Sequence, residues 1–329
     1  MKKKIVEILK YILFTAFGLS LFYFVLKDQD FDRIKSILKN DVNYSWIWIS
    51  IILGLLSHVS RTLRWNIAIE SIENKPKTYN TFFSVMIGYF MNLVLPRMGE
   101  ISRCGALAKY EKLSFAKLVG TVFIERILDI LMLLIFTAIV VLSQFGKVLN
   151  FLRSNPEIKS KFTDAFSSPK LYITIAAVAL GIYIFRKKFP HTKVYKKLNE
   201  IWINFYDGVK SVRNLKNKSG FIFHTVFIWI MYYLMNYVCF FSFDFTNGIP
   251  PIAGLTVFVF GSFGMVAPVQ GGIGAWHFMT IEGLKLYGVN PADGIIFALL
   301  VHTAMTAFLI LFGIISLLAM PFFNKLLKA

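Results

Sequence analysis

Asn92-Leu93-Val94-Leu95-Pro96-Arg97-Met98-Gly99-Glu100-Ile101-Ser102-Arg103 is the stretch whose reading decides the fold. It closes an apolar run, residues 82–95, that is shorter than the ~20 residues a helix needs to cross a bilayer. Pro96 withholds a backbone donor and Gly99 favours a break just where Arg97, Glu100 and Arg103 appear. Lipid satisfies no backbone polar group, so a segment that breaks at membrane depth must be buried in protein or line a wet cavity. The stretch therefore predicts a re-entrant element, of the kind that lines polar sites in transporters.

Working outward, the chain has 329 residues, 56% of them hydrophobic and 16% aromatic, with a mean hydropathy of +0.61. A soluble domain of this size rarely reads so. The expectation is an all-α, polytopic helical membrane protein with about six full spans plus two broken or re-entrant helical regions, forming a single domain over residues 1–329. Full spans are expected at 5–26, 44–59, 119–145, 171–185, 221–243 and 295–320, and the broken regions at 81–103 and 252–287. Residues 27–43 and 146–170 read as loops. Lys2, Lys3 and Lys4 precede the first span without a small-residue cleavage pattern after it, so that span is read as uncleaved.

The net charge of +18 does not point to nucleic acid, because the basic residues lie between apolar runs, where they set topology and meet anionic lipid. If both broken regions return to the side they came from, 25 of the 36 Lys and Arg residues fall on the side of both termini. Both termini are therefore expected to be cytoplasmic. Within residues 186–219, Ile201, Trp202, Phe205 and Val209 form an apolar stripe among lysines, the pattern of a basic amphipathic linker lying on the cytoplasmic surface. Cys104 and Cys239 are too few for a disulfide framework and read as apolar filler.

Three further motifs carry charge or unusual backbone. Arg61 and Arg64 are three apart on the continuation of the second span, beside Trp65, and read either as an interface anchor or as part of a polar site. Glu125, Arg126 and Asp129 lie near the start of a long apolar helix, where each charge costs about 2.5–3.5 kcal/mol unless it faces protein or water. They read as cargo contacts or as an ion-pair cluster between helices. The second broken region contains Gln270-Gly271-Gly272-Ile273-Gly274-Ala275-Trp276-His277. Gly271, Gly272 and Gly274 could expose amide donors to an anion at a helix start, or serve close packing only. His277 could donate to phosphate or titrate, or simply bond a neighbouring helix, which is also the reading for His58, His224 and His302. No metal-ligand spacing and no phosphate-binding Gly-x-x-x-x-Gly-Lys-Ser/Thr loop occurs, so no cofactor or metal is expected.

Arg61-Thr62-Leu63-Arg64-Trp65, then residues 92–103, then Glu125-Arg126-Ile127-Leu128-Asp129, then Gln270-Gly271-Gly272-Ile273-Gly274 resemble, in order and spacing, the transmembrane region of lysylphosphatidylglycerol synthases. This region also occurs alone in proteins described as flippase-like. The resemblance covers nearly the whole chain and implies a lipid-flipping helical module with re-entrant segments. In the synthases an aminoacyl-transfer domain follows; here the sequence ends at Ala329 without one, so synthesis of the aminoacylated lipid is not expected. Family members often carry an acidic residue shortly after the glycine motif, where this chain has Trp276-His277.

The expected function is transport, without catalysis, of an anionic or zwitterionic phospholipid or a polyprenyl phosphate between leaflets of a prokaryotic cell membrane. The candidate site is Arg61, Arg64, Asn92, Arg97, Glu100, Arg103, Glu125, Arg126, Asp129, Gln270, Gly271, Gly272, Gly274 and His277. Arg97 and Arg103, with Arg64, would hold phosphate, and Glu100, Glu125 and Asp129 would balance charge or take a cationic headgroup. The alternatives are a membrane enzyme on a lipid-linked phosphate and a non-catalytic assembly partner, and the chain could act alone or as a homo-oligomer.

Overall fold

The computed structural model describes residues 29–95, 97–146 and 215–326, with scattered positions between 16 and 27. All secondary structure among the described residues is helical. The expected spans at 5–26 (apart from those scattered positions) and 171–185, most of the loop at 146–170 and most of the basic linker lie outside the described residues. Residues 1–137 and 212–329 form one compact unit and 138–211 another, of which the described part is the end of one helix.

The chain between the first two expected spans is not a plain loop. It holds helix α1, Phe31–Asn40, started by Asp30, whose side chain accepts from the Arg33 amide at 2.9 Å. Apolar residues at helical spacing, Ile34, Ile37 and Leu38, pack against the core, which mixed charge alone did not reveal. Helix α2 is continuous over Tyr44–Glu70 and is capped by Asn43. Helix α3, Thr78–Val94, is followed by a break and by α4, Gly99–Glu111. Long apolar helices α5, Phe115–Ser143, and α6, Lys218–Tyr237, come next, α6 passing into a 3-10 turn at Val238–Ser242. After a single helical turn, α7, Pro251–Val266, leads through a short 3-10 turn at Gln270–Gly272 to α8, Ala275–Lys285, and α9 spans Pro291–Leu326. Four described segments are long and apolar enough to cross a membrane: Tyr44–Glu70, Phe115–Ser143, Lys218–Ser242 and Pro291–Lys325.

Both broken regions are hairpins of antiparallel helices. In the first, Asn80 donates to Glu111 at 2.5 Å at the base, and at the apex the Asn92 side chain accepts the Gly99 amide at 2.7 Å. Gly88 and Gly99 let the two helices touch, since a Cβ on Gly99 would lie 2.2 Å from the Gly88 carbonyl oxygen. In the second, Tyr287 donates to Thr256 at 2.8 Å near the base, and Gly264 lies so close to Ala275 that a Cβ would meet its carbonyl oxygen at 2.7 Å. Lipid tails offer apolar side chains nothing they lack in a protein interior, so helices in a membrane associate through this kind of close backbone approach.

Helix α9 measures where the hairpins lie. Near its start Asp293 pairs with Arg33 at 2.5 Å, close in sequence to the base of the second hairpin, and near its end Asn324 pairs with Asn80 at the base of the first. Between them, His302 meets the Gly271 carbonyl and Gly313 receives the Phe90 ring. His302 and Gly313 are about 16 Å apart and straddle the middle of α9. The hairpins thus enter from opposite ends of α9 and meet halfway, where Leu93 lies against Gly271.

Separate cores hold each hairpin. Trp65, Val85, Cys104, Leu107 and Leu118 join the first to α2 and α5, while Phe240, Phe243, Trp276 and Phe297 join the second to the end of α6 and to α9. Cys104 and Cys239 are buried and free, as filler would be.

Candidate functional site

Arg61 and Arg64 share one face of α2, and Glu125 and Asp129, four apart, share one face of α5. The two faces meet about 9–14 Å from the end of α2 and about 15–21 Å from the start of α5. Arg64, fully buried, donates through Nε and Nη2 to Glu125 Oε1 at 3.3 Å each, through Nη2 to Asp129 Oδ1 at 3.3 Å, and through Nη1 to Thr225 Oγ1 of α6 at 3.3 Å. Arg61 donates to Asp129 Oδ2 at 3.1 Å and to the Tyr232 hydroxyl at 3.3 Å. Tyr232 in turn lies 2.9 Å from the Tyr89 hydroxyl of α3. Arg103 reaches from the first hairpin to Glu125 Oε2 at 2.6 Å, its guanidinium centred 4.6 Å over the Trp65 ring. Trp65 donates to Thr121 at 2.8 Å.

The interface-anchor reading of Arg61, Arg64 and Trp65 is therefore corrected. All three are buried, because the carboxylates of α5 and the Trp65 partners on α4 and α5 stand where headgroups would otherwise be. The expectation that Glu125 and Asp129 face protein holds.

Arg126 points elsewhere. It forms a short ion pair with Glu100 of α4 and lies 3.8 Å from Asp129, but its side chain is 46% exposed. Four guanidinium groups (Arg61, Arg64, Arg103, Arg126) thus meet three carboxylates (Glu100, Glu125, Asp129), leaving one positive charge in excess. Beside them is a cleft lined by Arg61, Gly88, Tyr89, Asn92, Glu100, Arg103 and Arg126. Its volume of about 10 Å³ has room for about one water molecule and none for a lipid headgroup. Three atoms of its lining residues, Arg61 Nε, Arg103 Nε and Glu100 Oε2, are buried without hydrogen-bond partners, two donors and one acceptor.

Arg97 sits apart at the first apex, exposed, with a left-handed backbone (φ 62°) and no ion pair among the described residues. Asn92 caps the apex from within. The glycine set forms the second apex: Gly271, Gly272 and Gly274 all have positive φ, and a Cβ on Gly271 would lie 2.6 Å from Leu93. Gln270 opens that turn. His277 is buried on α8 with its ring 4.5 Å from that of His302. The structure brings Arg61, Arg64, Asn92, Glu100, Arg103, Glu125, Arg126 and Asp129 to the first apex, and the glycines, Gln270 and His277 to the second.

Tyr89, Thr225 and Tyr232 complete the first network and were not singled out in the sequence, while His302, read there as an interhelical bond partner, completes the second through the Gly271 carbonyl. The available signal was position: tyrosines well inside apolar helices, away from the interfacial belt, carry a hydroxyl that must find a partner. His224 is 2.8 Å from Ser60 and bridges α6 to α2 as expected, whereas His58 lies against the rings of Tyr89 and Phe308 with its Nδ1 buried and unpartnered, so the hydrogen bond expected of it is not formed.

The chain is 24% identical over 237 residues to a UPF0104 membrane protein of Methanocaldococcus jannaschii, covering 63% of this chain and 67% of that one. No solved structure matches. A family model described as the lysylphosphatidylglycerol synthase TM region matches residues 8–313. With that match over nearly its whole length and an all-helical, membrane-spanning architecture, this chain belongs to the lysylphosphatidylglycerol synthase TM-region family.

Proposed function

We propose that this membrane protein moves a lipid with a phosphate-bearing headgroup, a phospholipid or a polyprenyl phosphate, between leaflets. The headgroup passes between the two hairpin apices while the tails stay in lipid. One observation carries the reading: two hairpins enter from opposite ends of α9 and meet near its middle, beside a charge cluster with an excess positive charge. Such a meeting point is reached from either side without a helix having to cross the bilayer.

The division of labour follows burial. Arg61, Arg64, Arg103, Glu125 and Asp129 bind one another and form a fixed frame. Arg97 and the half-exposed Arg126 meet the phosphate, and Glu100, released from Arg126, takes any cationic part of the headgroup. The role is transport without catalysis: each carboxylate of the cluster is engaged by a guanidinium, which supports charge balance over general-base work. The distribution of basic residues supports cytoplasmic termini in a prokaryotic cell membrane.

The test is reconstitution in liposomes with headgroup-labelled phosphatidylglycerol, phosphatidylethanolamine or a polyprenyl phosphate, measuring label accessible to an impermeant quencher. Wild-type vesicles should expose label from the inner leaflet, and vesicles with folded Arg126→Gln should lose most of that excess. Accessibility equal to protein-free vesicles for all three lipids overturns the proposal.

A further inference from the structure

His277 and His302 face each other across α8 and α9 at the second apex, both buried. His302 is fully engaged. Its Nε2 lies 2.8 Å from the Gly271 carbonyl oxygen and must donate, so its Nδ1 accepts from Thr306 Oγ1 at 3.4 Å. His277 is not: its Nδ1 is buried with no partner. Its walls are the Phe22 ring at 5.2 Å and the Trp276 ring at 5.7 Å.

No charge faces it. Helix α7, packed against α8, carries no titratable residue. On α8 itself Glu282 and Lys285 bond each other at 2.9 Å, and on α9 Asp293 pairs with Arg33. Among the described residues the titratable group facing His277 is His302. A buried, unpartnered imidazole nitrogen disfavours this packing, and a proton added there would sit among aromatic rings beside a second imidazole, with no carboxylate among the described residues to balance it. Water admitted by parting α8 from α9 would remove both penalties.

We propose that His277 is a proton-binding site that couples separation of the second apex to proton uptake, so that acid on that side opens the hairpin. The sign follows from linkage. The closed form excludes the proton and the open form accepts it, so closure is favoured above the ordinary imidazole range, near pH 6.5, and loses ground as pH falls through it. Below that range the open fraction rises tenfold per pH unit until opening is complete. What opening does rests on the lipid reading; that it occurs does not.

Hydrogen–deuterium exchange of the full chain in nanodiscs of phosphatidylglycerol and phosphatidylethanolamine, followed by mass spectrometry between about pH 8 and pH 5, tests this. After correction for intrinsic chemistry, peptides covering 267–281 should exchange about tenfold faster per pH unit on the acid side, while peptides covering 78–111 stay level. His277→Gln should flatten the profile. A flat wild-type profile, an equal slope in both hairpins, or a slope that survives in a folded His277→Gln protein overturns the proposal. The wild-type profile decides even if the variant does not fold. Lipid accessibility measured in the liposomes described above, over the same pH range, reports separately: an acid slope without lipid movement sinks the transport reading and leaves the proton site standing.

Discussion

Asn80 and Asn324, 244 positions apart, exchange two amide hydrogen bonds, one at 2.9 Å and its reciprocal at 2.6 Å. The pair holds the base of the first hairpin to the end of α9, and Asn80 also donates to Glu111 on the returning arm. Asn80→Ala strips partners from both, whereas Asn324→Ala leaves Asn80 bonded to Glu111. Asn80→Ala should cost about 1–3 kcal/mol and Asn324→Ala less, read as shifts in thermal unfolding in detergent. The reverse order would mean that the base is not held this way.

The charge frame predicts a sharp stability effect. Arg64→Met removes the guanidinium that contacts both Glu125 and Asp129 and leaves buried carboxylates under-compensated. The expected loss is about 3–5 kcal/mol, or failure to fold. A mild effect would show that water reaches the cluster.

Arg126→Gln should behave oppositely. Its ion pair with Glu100 is half open to the surroundings, so stability should change by less than about 1 kcal/mol. Lipid movement should fall by about ten- to a hundredfold, the equivalent of one charge-assisted hydrogen bond worth about 1.5–3 kcal/mol. Undiminished movement would remove Arg126 from the path.

Gly99→Ala sets a Cβ against the Gly88 carbonyl and the Asn92 side chain, so the first hairpin must splay. A loss of about 2–3 kcal/mol is expected. Gly105→Ala on the same helix meets nothing within 4 Å and should gain about 0.5–1 kcal/mol, a control for the change in backbone entropy.

The hairpins were legible in the sequence because a short apolar run ending in Pro96-Arg97-Met98-Gly99 has few physical outcomes in a membrane. The faces of Arg61 with Arg64 and of Glu125 with Asp129 were legible from helical spacing. Their pairing was not, since spacing gives a face but never the helix opposite; hence Arg64 read equally well as a headgroup anchor. Helix α1 was hidden because its apolar stripe is only Ile34, Ile37 and Leu38 among charges. His302 could not be matched to His277 because the contact depends on how deep the second hairpin reaches along α9.

The two apices are built alike and furnished differently. One carries guanidinium and carboxylate groups, the other imidazoles and bare backbone. Inverted hairpins with identical tips would give a symmetrical device, indifferent to which compartment it faced. Here the two ends of α9 lead to chemically different tips, fixed charge at one and imidazole rings at the other, so the pair is unequal in composition even though each member is built as a hairpin.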